Sequence, residues 1–106
     1  MEHSHLDDMI KGWFVGDFDP AIFATKDFEV AIKKYKSGES ENQHFHKVAT
    51  EITVVVSGRV QMCNRIWGEG SIIKLFPGEA TSFLALEDAI TVVVKTPSLI
   101  GDKYEN

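Results

Sequence analysis

The sequence predicts an all-β fold, a sandwich or barrel of about seven or eight short antiparallel strands. Three observations carry this. Apolar residues recur at period two over most of the chain, the spacing of a strand with two distinct faces. Turn signals at Ser57-Gly58, Asn64-Arg65, Pro77-Gly78 and Glu87-Asp88 punctuate the apolar runs. No stretch combines a helical repeat with helix caps.

FEVAIKKYK (28–36) is the first predicted strand, with Phe28, Val30 and Ile32 on one face and Glu29 and Lys33 on the other. SGESEN (37–42) is a polar turn, QHFH (43–46) is short and extended, and KVAT (47–50) connects. EITVVVSG (51–58) is strongly β-branched, and RVQMC (59–63) returns after Ser57-Gly58. Beyond the bend at Gly68 and Gly70, SIIKLF (71–76), TSFLAL (81–86) and AITVVVK (89–95) complete the series. Pro97 closes it, and the last residues read as a loose tail. The pentapeptide ITVVV occurs at 52–56 and again at 90–94. An unbroken apolar run is a strand covered on both faces. A barrel this small covers only the inner one. Either the N-terminal segment or a second copy of the chain must shield the outside, and a homodimer is expected.

With 106 residues, the chain is predicted to form a single domain over 1–106. The barrel would occupy about 28–95, with 1–27 packed on it or on a partner. Hydrophobic residues make up 43% and charged residues 25%, an ordinary globular composition. The formal charge of −5 argues against nucleic acid, which requires clustered Lys and Arg. No apolar stretch approaches the roughly 20 residues of a membrane span, and the N-terminus lacks a basic start followed by an apolar core. The lone Cys63 excludes disulfides within the chain and CxxC metal sites. A cytoplasmic protein is expected.

Residues 44–51 read HFHKVATE. In a strand, residues two apart point the same way, so His44 and His46 project together. The KVAT link lets the chain reverse and bring Glu51 beside them. Two imidazoles and a carboxylate suit Zn, Fe, Ni, Mn or Cu, and they leave positions open for water or substrate.

The full spacing around this pair, Gly38-x5-His44-x-His46-x4-Glu51-x6-Gly58, resembles the first sequence motif of the cupin family. A second stretch, Gly70-x5-Phe76-Pro77-Gly78-x-x-Thr81, is similar to the second motif with two departures. Phe76 stands where proline is usual, and Thr81 stands where the family carries a third metal-binding histidine. The resemblance implies a jelly-roll β-barrel with His44, His46 and Glu51 as metal ligands and Thr81 at the fourth position. If Glu51 faces in, so do Thr53 and Val55. If Thr81 faces in, so do Phe83 and Ala85. These four would line a pocket for a small-molecule ligand or substrate.

The function expected first is that of a metalloenzyme acting on a small molecule, of oxygenase, isomerase or lyase type. A metal-free keto-isomerase or epimerase of a sugar nucleotide, with His44 or His46 as base, is the alternative. A non-enzymatic module that binds a carbohydrate or another small ligand is the third. Trp13, Phe14 and Trp67 would cap the mouth or pack on the barrel. His3 and His5 are assigned no role, Glu79 is read as a solvated turn residue, and Cys63 as a buried strand residue.

Overall fold

The computed structural model describes residues 1–105. Strand-forming, β-branched segments alternate with turns along the chain and give eleven strands among the described residues. They are β1 (Trp13–Gly16), β2 (Phe23–Ala24), β3 (Glu29–Tyr35), β4 (Ser40–Phe45), β5 (Thr50–Ser57) and β6 (Val60–Met62). The rest are β7 (Arg65–Trp67), β8 (Ile72–Leu75), β9 (Thr81–Ala85), β10 (Ala89–Thr96) and β11 (Tyr104–Glu105). A three-residue 3-10 helix at Leu6–Asp8, capped by the His5 side chain, precedes them.

The strands form two facing sheets, one ordered β2-β1-β3-β10-β5-β8 and the other β11-β4-β9-β6-β7. Pairing is antiparallel except between β1 and β2. The fold is all-β, as expected. The two ITVVV segments lie side by side, with Val92 opposite Val54.

Period-two alternation decides what each face carries. On the inner face, Val55 from β5 and Val60 from β6 are fully buried and pack with Met62, Ile73, Leu75, Phe83, Ala85 and Ala89. This apolar plug closes one end of the sandwich. The rest of the larger sheet's inner face is mixed: buried Val93 lies opposite Ala31, flanked by Glu51 opposite Lys95, Lys95 opposite Glu29, and Thr91 opposite Lys33. Its outer face is apolar. Ile72, Val54, Val92 and Ile32 fall in register across four strands. Ile72 is 69% exposed and Val56 45% exposed in the isolated chain.

Gly58 turns β5 into β6 at φ 82°, where a Cβ would stand 2.2 Å from the Asp88 carbonyl oxygen. Only glycine meets both conditions. The next turn differs from expectation. Cys63 and Asn64 both take positive φ, 53° and 59°, as a two-residue hairpin turn of the I′ kind demands. Cys63 is therefore an exposed turn residue, not a buried strand residue. The tail is a second departure: β11 pairs with β4, and Asp102 is buried. Among the described residues, no helix is long and apolar enough to cross a membrane.

Candidate metal centre

β4 delivers His44, the turn after it delivers His46, and β5 delivers Glu51. One ligand atom from each of the three lies within 4.8 Å of the others. The imidazole rings meet edge to face with centroids 5.4 Å apart. Their hydrogen bonds set the tautomers. A carbonyl oxygen only accepts, so His44 donates its Nδ1–H to the Asn42 carbonyl at 3.0 Å, and His46 donates its Nδ1–H to the Asp102 carbonyl. In the neutral form of each ring, Nε2 then carries the lone pair.

His46 is 6% exposed, and its Nε2 is buried with no hydrogen-bond partner among the described residues. It stands 3.8 Å from Glu51 Oε2. A buried nitrogen and a partly buried carboxylate thus face each other, an arrangement that a cation or a proton between them would satisfy. Ligands bound about 2.0–2.2 Å from an ion lie about 3–3.5 Å apart. Side-chain closure on the order of 1 Å brings this set to that spacing. The donor set fits a divalent transition metal.

Thr81 sits opposite His44 across the β4–β9 ladder. Its hydroxyl accepts from the Cys63 N–H at 3.0 Å and donates to the Ser82 carbonyl at 2.7 Å. Thr53, Val55, Phe83 and Ala85 are all buried. Glu79 accepts from the Phe76 N–H within its own turn, and Trp67 packs on the apolar plug. The Trp13 ring lies between the amino groups of Lys33 and Lys95, 4.9 and 4.8 Å from its centroid.

A cavity of about 20 Å³ adjoins the triad, lined in part by Glu41, His44, Glu51, Thr53, Thr81 and Thr91. That is room for about one water molecule. Tyr35 and Glu41 line this cavity and also a groove of about 740 Å³ outside it. The groove runs along β3 and β4 under the N-terminal segment, with Lys11, Lys33 and Asp7 on its walls. Tyr35 donates to Glu41 Oε2 at 3.2 Å and stacks on Phe83 with centroids 4.4 Å apart. Burial, then the charge and hydrogen bond of Glu41, hold the Tyr35 phenol well above the usual tyrosine range. Burial also lowers the Lys33 ammonium, and Glu41 partly offsets it.

Sequence reasoning missed Tyr35, Glu41, Thr91 and Asp102. Tyr35 shares a face with Lys33, a signal that alternation carries. Glu41 and His44 both point inward although three residues apart, because the β4–β9 register shifts between them. Nothing local in the sequence marks Asp102.

An antiparallel double-stranded β-helix with an inward His-x-His and glutamate is the architecture of the cupins, and this chain has that fold. A scan against known protein families finds no match, and no curated protein matches the chain in sequence. Solved structures do match. A double-stranded β-helix domain protein from Klebsiella pneumoniae has a TM-score of 0.71 at 22% identity, over 76% of this chain and 71% of that one. The DMSP lyase DddQ from Ruegeria pomeroyi has a TM-score of 0.71 at 16% identity, over 87% of this chain and 48% of that one. A sugar phosphate isomerase of the cupin superfamily from Silicibacter pomeroyi has a TM-score of 0.62 at 19% identity, over 66% and 50%. At these identities the likeness is one of fold, and this chain spans about half of the two enzymes.

Proposed function

We propose that the protein is a metal-binding cupin that acts as a metalloenzyme on a small molecule, with His44, His46 and Glu51 as the ligands. One observation carries the reading: the buried, unpartnered Nε2 of His46 faces the Glu51 carboxylate at 3.8 Å. A divalent transition metal bound there supplies Lewis acidity, able to polarise a carbonyl or orient a small enolisable substrate. Thr81 has its hydroxyl engaged with backbone, so His44, His46 and Glu51 would hold the metal and would leave room for water or substrate beside them.

The 20 Å³ cavity is too small for a substrate, whereas 740 Å³ lies within the roughly 300–1,000 Å³ of small-molecule sites. The substrate therefore sits in the groove. Tyr35 and Glu41 form the wall between it and the triad, and Thr53 and Phe83 line the small cavity behind, whereas Val55 and Ala85, expected to line the pocket, are packed into the apolar plug. The apolar row Ile72, Val54, Val92 and Ile32 supports a homodimer through the outer face of the larger sheet. The exposed thiol of Cys63 suits a reducing compartment such as the cytoplasm.

Metal analysis of protein purified without an affinity tag, beside the His44→Ala/His46→Ala variant, tests the assignment. Near-stoichiometric metal in wild type and its loss in the variant are expected. Metal absent from both would overturn it. A threonine hydroxyl bonded to backbone at position 81, in place of a third imidazole, favours the second reading, a metal-free sugar-nucleotide isomerase in which the His46 Nε2 lone pair takes the proton. Solvent-deuterium uptake into a nucleotide-linked keto sugar would support that reading, and ligand binding without turnover would support a carbohydrate-binding module.

A further inference from the structure

We infer that the C-terminal segment is part of the metal centre, with Asp102 as a positioning residue that sets both the tautomer of His46 and the turn joining His46 to Glu51. This rests on the metal reading above and deepens it. The carboxylate of Asp102 accepts from the amides of Lys47 at 2.9 Å, Val48 at 3.1 Å and Ala49 at 2.9 Å, three successive residues of that turn. Its own carbonyl accepts the Nδ1–H of His46. One residue thus holds both ends of the ligand-bearing loop, from 56 positions away in sequence.

The consequence is chemical as well as mechanical. Imidazole in water exchanges its proton between two nitrogens, and only the Nδ1–H form aims a lone pair at Glu51. An outer partner that fixes a ligating histidine in one tautomer strengthens metal binding, typically by 10–100-fold. The segment is anchored beyond Asp102 as well. Tyr104 pairs with Phe45 in the ladder and stacks on its ring at 5.5 Å, and Lys47 lies over the Tyr104 ring at 4.2 Å. Residue 102 is thereby kept in place on both sides of the loop it caps.

The test reads the tautomer directly, on metal-free full-length protein at about pH 8, by long-range proton–nitrogen correlation of the imidazoles. Wild type should show His46 protonated at Nδ1. A chain ending at Ile100 should lose that fixed form and bind Zn²⁺ roughly 10–100-fold more weakly in competition with a chromophoric chelator. His44, whose Nδ1–H is held by Asn42 within the same strand, should be unchanged and serves as an internal control. Asp102→Asn retains an acceptor oxygen and should keep the tautomer, with zinc affinity between the two. An Nε2–H tautomer in wild type overturns the inference whether or not the shortened chain folds. So does a folded shortened chain with the wild-type tautomer and zinc affinity. Wild type that binds no zinc yet shows the fixed tautomer upholds the clamp and overturns the metal reading.

Discussion

Glu51→Gln should act in opposite directions on the metal-free and the metal-loaded protein. In the metal-free protein, the partly buried Glu51 carboxylate and the buried His46 Nε2 face each other at 3.8 Å. Glutamine keeps the shape, removes a buried charge and turns an N–H₂ donor toward the lone pair. One new buried hydrogen bond contributes about 0.5–1.5 kcal/mol. With an unfolding entropy of roughly 0.2 kcal/mol/K for 106 residues, that corresponds to a rise of about 2–7 °C in Tm. The same substitution removes the anionic ligand, so stabilisation by zinc should vanish. For wild type, zinc at 100 times its Kd adds about 2.7 kcal/mol, a Tm rise of about 12 °C. Urea and thermal unfolding of chelator-treated protein at about pH 8, with and without zinc, measure both effects. The reasoning fails if Glu51→Gln destabilises the metal-free protein by about 3 kcal/mol or more. That outcome means an imidazolium was left without its counter-charge. It fails equally if the variant keeps the zinc response.

Three further outcomes follow from particular residues. Phe83→Ala removes a side chain that is 5% exposed and stacks on Tyr35, and should cost about 3–5 kcal/mol in urea unfolding. A cost below 1 kcal/mol would mean that the plug repacks freely. Val54→Lys on the outer face should shift sedimentation from dimer to monomer while leaving the fold intact by circular dichroism. A wild-type monomer at micromolar concentration would contradict the dimer. Tyr35 should add nothing to phenolate absorbance near pH 10 while the protein is folded, so Tyr35→Phe should leave the folded-state titration unchanged. The sign for stability follows. A raised folded value contributes stability below about pH 10, and that contribution is lost as pH rises above it toward the folded value; the lowered Lys33 acts oppositely.

The His44, His46 and Glu51 cluster was legible because its members lie within eight residues of one another and strand alternation is a local rule. His44 and His46 share a face by period two, and a short reversal suffices to bring in Glu51. Thr53, Val55, Phe83 and Ala85 are buried by the same rule. The rule stops at irregularities. The register shift in β4 turned Glu41 inward beside Tyr35, and the positive φ of Cys63 moved a turn by one residue and exposed a thiol. The N-terminal strands β1 and β2 are too short, at four and two residues, to show a period at all.

By itself the sequence determined the β architecture, the inward and outward faces of its longer strands, and the chemistry of the three candidate ligands. All of these depend on residues within a few positions of each other. Tertiary structure alone decided which groups stand behind those ligands. The groove borrows Tyr35 and Glu41 from facing sheets, while the carbonyl of Asp102 on His46 and the carboxylate of Asp102 across the 47–49 turn join distant parts of the chain. Such contacts form only once the sheets close, because no local preference encodes a partner more than fifty residues away.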